Sequence, residues 1–182
     1  MFGRIQNIDN RVLDNRSRIH KPALNKIMIT ASRAGNAGIV WWAICLPFLI
    51  NSNWRATGAN FVFGLAWAHL MGEIIIKHIV KRVRPCHTLD DDEQLIDRPR
   101  FYSFPSGHTT ASFAMVGVAL MRCRVITFMP ILILAMLIAF SRIYLRVHYL
   151  TDVIAGMILG LTCGICSVLI FNTVVPMWFP MV

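Results

Sequence analysis

The sequence is short of charge, and shortest of acid. Over 182 residues, Asp and Glu number 9 against 18 Lys and Arg, and charged residues make up only 15%. Apolar residues make up 56%. A soluble domain of this size could not cover so much apolar surface with so few charges, so the excess must face lipid. The first nine residues have no apolar core followed by a small-residue cleavage site, so no cleavable signal peptide is expected. Disulfide chemistry is also unsupported. Of Cys45, Cys86, Cys123, Cys163 and Cys166, four sit in or beside apolar runs, and the CxxC at 163–166 reads as packing inside an apolar helix. The net charge of +9 admits nucleic acid, an anionic membrane surface or an anionic substrate. The long apolar runs argue against nucleic acid and leave lipid headgroups and phosphate.

The length fits one domain, 1–182, with a mixed polar segment at 1–33 and an apolar bundle at 34–175. In the first segment Ile5, Ile8, Val12 and Leu13 fall at helical spacing among Arg and Lys, which predicts an interfacial amphipathic helix. The alternative is a solvated tail. Five apolar spans follow, near 34–50, 56–80, 107–121, 125–140 and 153–175. A membrane helix needs about 20 residues, so the third and fourth must borrow length from their polar flanks. The expected fold is therefore all-α: an integral-membrane bundle of about five transmembrane helices. Gly156, Gly160 and Gly164, each four apart, put a smooth strip on the fifth, where another helix can come close. The oligomeric state is open, and a homo-oligomer is compatible with the sequence.

Counting crossings puts the polar residues of the spans on one side of the membrane. Lys77 and Arg84 close the second span, Ser106, Gly107 and His108 open the third, Ser141 and Arg142 close the fourth, and His148 and Asp152 open the fifth. Lys77 and Arg84 are seven apart, two helical turns, and share a face if the helix continues to Pro85. A cation within a membrane helix is costly and usually functional; interfacial snorkelling is the simpler account of Lys81 and Arg82. Ser106 suits a helix N-cap, and the free amides behind it suit a phosphate. A cap alone does not explain His108. His148 and Asp152 are four apart, so a carboxylate can fix one ring nitrogen and leave the other as nucleophile or base. His69, Glu73 and Lys77, spaced by four, form a polar stripe in which Glu73 either holds Lys77 charged and aimed or pairs with another helix.

Together these residues resemble the type 2 phosphatidic acid phosphatase superfamily, membrane lipid phosphatases that share their site with vanadium haloperoxidases. Its pattern, K-x6-R-P, then P-S-G-H, then S-R-x5-H-x3-D, is met by Lys77, Arg84 and Pro85, by Pro105 to His108, and by Ser141, Arg142, His148 and Asp152. The resemblance implies that Lys77, Arg84, Arg142, Ser106 and Gly107 hold phosphate. It implies that His148 attacks phosphorus to give a phosphohistidine, that Asp152 orients it, and that His108 protonates the leaving oxygen and then assists water. It implies no metal and no cofactor, three fixed cations neutralising the charge instead.

The expected activity is hydrolysis of a lipid phosphate or diphosphate, undecaprenyl diphosphate foremost among the candidates. A phosphotransferase and a lipid or anion transporter are the alternatives. Lys and Arg cluster on the side of the site, which by the positive-inside tendency would be cytoplasmic. The resemblance implies a site facing outward from a multi-pass cell-membrane protein, and the catalytic cations inflate the count, so an extracytoplasmic site is favoured.

Overall fold

The computed structural model describes residues 2–14, 21–87, 95–99 and 101–178, with the side chains of 2–5, 14 and 175–178 left aside. Every regular element among them is helical: α1 (Phe2–Asp14), α2 (Pro22–Ala34), α3 (Ile39–Ile50), α4 (Arg55–His69), α5 (Lys77–Val80), α6 (Gly107–Arg122), α7 (Val125–Tyr144) and α8 (Leu150–Trp178). A π-helical stretch, Leu70–Ile76, joins α4 to α5, so that Ser52–Val80 runs as one long rod.

Three stretches are long and apolar enough to cross a bilayer: Ser52–Val80, Val125–Tyr144 and Leu150–Val174. A fourth crossing arises if α2 and the stretch Asn36–Ile50, bent by 58°, count as one broken span. The break lies where Ala37 and Gly38 take positive φ, 50° and 70°, and a left-handed residue cannot continue a right-handed helix. The segment 1–33 is thus two helices with different surroundings. On α2, Met28, Ala31 and Ser32 are buried, and this helix packs against α7. On α1, Ile8 is exposed while Asp9 is fully buried. Ile5 by its side chain, Arg16, Arg18 and the acidic run Asp90–Glu93 lie outside the described residues.

Helix α6 is the axis of the bundle. Its sixteen residues span only about 24 Å, short of the roughly 30 Å hydrocarbon core. It does not need to meet lipid, because α4, α7 and α8 wrap it and every residue from Thr109 to Ala119 except Ala111 is buried. An apolar surface on all sides suits a helix in the middle of a bundle. The belt of exposed Ile, Leu, Val and Phe side chains lies instead on the outer helices, at Ile126 and Ile133 on α7 and Ile154 and Ile158 on α8.

The most extensive helix–helix contact among the described residues is between α6 and α8, and the glycine strip brings the two backbones close. A methyl group at Gly156 would lie 2.9 Å from the Ser106 carbonyl, and one at Gly160 or Gly164 would strike the carbonyl of Thr110 or Ala114. These obstacles are backbone and cannot swing aside. Gly160→Leu is therefore expected to cost about 1–3 kcal/mol or more, seen as a lower melting temperature of the detergent-solubilised protein. An unchanged melting temperature would show that the two helices can part without penalty.

Candidate active site

One end of the bundle gathers the polar residues that the count of crossings had placed together. They enclose a cavity of about 1010 Å³, lined among others by Glu73, Lys77, Arg84, Gly107, His108, Arg142 and His148. Four segments contribute these seven residues: the end of the α4–α5 rod with the chain after it, the first turn of α6, the last turn of α7, and the turn into α8. Asp152 lies behind His148 rather than on the cavity wall, and Ser106 and Ser141 are also fully buried.

The cations define the site. Lys77 is 3% exposed, Arg84 4% and Arg142 4%. Burying a charge is expensive unless it is paired and hydrogen-bonded, and the pairing here is incomplete. Lys77 Nζ meets Glu73 Oε1 at 2.5 Å. Arg84 gives its hydrogen bonds to neutral groups: Nε to the Phe101 carbonyl at 2.5 Å and Nη1 to the Val147 carbonyl at 2.9 Å, with His148 Nε2 also 2.9 Å from Nη1. Arg142 donates to the Ser32 hydroxyl, and its buried Nε has no hydrogen-bond partner among the described residues. Two carboxylates, Glu73 and Asp97, line the cavity with the three cations, and among the described residues the one ion pair these cations make is that of Lys77 with Glu73. An anion with several oxygens would complete them.

The two histidines come from different elements, His108 from the first turn of α6 and His148 from the turn into α8. His148 is 1% exposed, its Nδ1 3.6 Å from Asp152 Oδ2 and its Nε2 beside Arg84. At 3.6 Å the carboxylate is an electrostatic neighbour rather than a hydrogen-bond acceptor. Burial, helped by Arg84 and Arg142 and opposed by Asp152, pushes the imidazole down to about 3. The ring is therefore neutral at ordinary pH and has a lone pair to offer. Asp152 is in turn held by the Ser103 hydroxyl and by the Tyr149 amide at 2.9 Å. His108, in the first turn of α6, reaches Asn36 Oδ1 through Nε2 at 2.9 Å. Asn36 belongs to the bend between α2 and α3, so that break places a polar side chain at the cavity. Among the described residues, no group of three or more His, Cys, Asp or Glu is placed to hold a metal ion.

Several local expectations change. Arg84 does not reach the site as the next turn of a helix: α5 ends at Val80, Lys81 takes φ 50°, and Lys81–Arg84 are non-helical. Pro85 keeps Arg84 out of the α region, since a residue before proline is disfavoured there, while the break itself falls at the left-handed Lys81. Ser106 occupies the N-cap position of α6 but makes no capping bond; its hydroxyl accepts from Thr109 at 3.0 Å and its amide donates to the Asp152 carbonyl at 3.1 Å. The Ser141 hydroxyl donates back to the Ile138 carbonyl at 2.6 Å, within its own helix. Arg82 does not snorkel: it donates to Asp9 and Asp152 at 2.8 and 2.7 Å. Arg82, Asp9, Ser103 and Asn36 were not singled out for the site by the sequence reading.

The PAP2 superfamily pattern matches residues 57–176, well over half of the chain. The chain belongs to the PAP2 superfamily. Among PAP2 relatives, it is 33% identical over 152 residues to an undecaprenyl-diphosphatase of Sulfolobus acidocaldarius, covering 82% of this chain and 72% of that one. It is 27% identical over 171 residues to phosphatidylglycerophosphatase B of Bacillus subtilis, covering 86% and 80%. The crystal structure of Aquifex aeolicus LpxE has the same fold, with a TM-score of 0.75 at 23% identity over 86% of this chain and 92% of that one.

In this PAP2 chain, Glu73 sits between Lys77 and Gly107. Its carboxylate pairs with Lys77 and occupies the space a side chain at position 107 would need. Glu73→Ala is expected to lower turnover about 10–100-fold, as loss of an orienting partner typically does, while the protein still inserts and purifies. Unchanged activity of the purified variant would show that Glu73 serves packing alone.

Proposed function

We propose that the protein hydrolyses a lipid phosphate or diphosphate at this cavity through a phosphohistidine on His148. One observation carries the reading: three buried cations, one of them ion-paired, and a buried imidazole beside Arg84 converge on one cavity at the end of a lipid-facing bundle. The relatives' activities support the substrate class.

Lys77, Arg84 and Arg142 take the non-bridging phosphate oxygens, with the first amides of α6 beside them, and this fixed positive field neutralises the charge of the transition state. His148 Nε2 attacks phosphorus in line with the leaving oxygen, and Asp152 stabilises the imidazolium that forms. His108 gives a proton to the leaving oxygen as the bond breaks. The neutral His108 then takes a proton from water as that water attacks phosphorus, the N–P bond breaks, and inorganic phosphate leaves. Undecaprenyl diphosphate or a related phospholipid phosphate is the substrate proposed. The chain crosses the cell membrane five times, and the site faces away from the cytoplasm.

Phosphate release from a panel of lipid phosphates and diphosphates by purified protein tests the activity. Release that persists in excess chelator, needs no added acceptor and is blocked by vanadate is expected. Activity that disappears with divalent ions would overturn the reading, and activity that depends on an added alcohol acceptor would make the protein a transferase. For sidedness, a thiol reagent is expected to label a cysteine placed at Asp91 in intact cells; labelling only after lysis would reverse the orientation.

A further inference from the structure

Behind the His148–Asp152 pair runs a second chain of charges that begins on α1. Asp9 is fully buried although it belongs to the N-terminal helix. Its Oδ2 accepts from Arg82 Nη2 at 2.8 Å and from the Thr151 hydroxyl at 2.7 Å, and its Oδ1 accepts from the Thr151 amide at 3.1 Å. Arg82 turns its other nitrogen to Asp152 Oδ1 at 2.7 Å and to the Thr151 hydroxyl at 2.8 Å. Gln6 Oε1 accepts from Nη2 at 3.0 Å, and the guanidinium lies 3.9 Å over the Tyr149 ring. One cation is thus shared between two carboxylates, each 0% exposed.

The sharing has an electrostatic consequence. Asp152 must be negative for His148 to carry positive charge in the phosphohistidine, yet Arg84 lies against the imidazole, Lys77 and Arg142 share its cavity, and Arg82 adds a fourth cation against Asp152 itself. Were Arg82 held by Asp152 alone, the two would form a neutral pair, and nothing behind His148 would offset the cations. With Asp9 on its far side, the Asp9–Arg82–Asp152 chain keeps one net negative charge, and Asp152 keeps its hold on the ring. We propose that Asp9, delivered by α1, is a positioning residue for the catalytic pair: acting through Arg82, it preserves the negative charge that Asp152 presents to His148. The N-terminal helix is then part of the catalytic apparatus and not only a contact with the membrane surface. The proposal rests on the phosphohistidine reading above.

The test compares Asp9→Asn, the Asp9→Asn/Arg82→Gln double variant and His148→Ala in the full-length, detergent-purified protein, with melting temperature recorded for each. Asp9→Asn is expected to lower kcat about 10–100-fold, the usual range for a supporting partner, with KM little changed. Removing Arg82 as well takes away the cation that Asp9 offset, so the double variant is expected to recover part of the lost kcat. A scaffold role predicts the opposite, since two buried partners are then lost instead of one. Wild-type kcat in Asp9→Asn, or a double variant no faster than the single one, overturns the proposal. Where the single variant fails to fold, the double variant decides alone, and turnover below about a hundredth of wild type, beyond the range for a supporting partner, overturns it. His148→Ala separates the two levels: if it stays active, the catalytic reading itself fails; if it is dead while Asp9→Asn is normal, only this inference does.

Discussion

His148→Asn is expected to abolish turnover, by at least about 10⁴-fold, the scale on which loss of a nucleophile acting in a concerted site is felt. The substitution keeps a planar polar side chain in a fully packed position, so the protein should still fold. It removes the one lone pair placed beside Arg84 and, with it, any place for phosphorus to bind covalently. Substrate binding should survive, because Lys77, Arg84 and Arg142 are untouched. The variant should even bind a phosphate-bearing lipid in place of turning it over. Rapid quench with a radiolabelled lipid phosphate separates the cases. Wild type should yield an acid-labile, alkali-stable phosphoenzyme, and His148→Asn should yield none. Label retained in the variant would move the nucleophile elsewhere. Residual turnover within about 100-fold of wild type, the smaller loss expected of a supporting partner, would make His148 an orienting group.

The cations, the two histidines and Asp152 were legible in the sequence because membrane helices tolerate few ionisable residues. Lys77, His108, Arg142 and Asp152 each stand next to apolar runs, where a charge needs a reason. Counting crossings then brought them to one side without any knowledge of packing. The glycine strip was legible for a similar reason: a repeat of four on one helix face has a direct steric meaning, and the contact it makes with the backbone of α6 follows. The alternation of spans did not reveal the bend at Ala37 and Gly38, because Ala37 takes its left-handed conformation without any mark in its residue type. Nor did it reveal that Asn36 would thereby face His108. Arg82 was hidden differently. Among Lys81, Arg82 and Arg84, a row of basic residues at the end of a span reads as contact with the interface. Only the break at Lys81 lets Arg82 turn inward, and only the docking of α1, distant in sequence, gives it Asp9. Lys77 and Arg84 were joined by assuming that the helix continues, whereas the two share a cavity with the helix ended between them.

The largest effect after loss of the nucleophile is expected at His108, and its form depends on the leaving group. A lipid monophosphate expels an alkoxide, whose basicity approaches that of hydroxide, with water at about 15.7 as the guide. Such an oxygen cannot leave without a proton. A lipid diphosphate instead expels a phosphate whose second pKa is about 6, and that group departs unprotonated at neutral pH. General acid catalysis typically contributes about 10²–10⁴-fold, and His108→Asn should lose that whole factor in the first step on a monophosphate. On a diphosphate the first step should be nearly spared. The second step, attack of water on the phosphohistidine, releases the same imidazole from either substrate and needs His108 to take the proton of water, so it slows in both cases. His108→Asn should therefore accumulate phosphoenzyme and show a burst with a diphosphate lipid, and show neither with a monophosphate. Equal losses on both substrates, with no phosphoenzyme on either, would show that His108 holds the substrate and transfers no proton. The same measurement reports on the natural substrate class, because a wild-type enzyme whose phosphohistidine forms faster than it hydrolyses only from diphosphates is matched to the better leaving group.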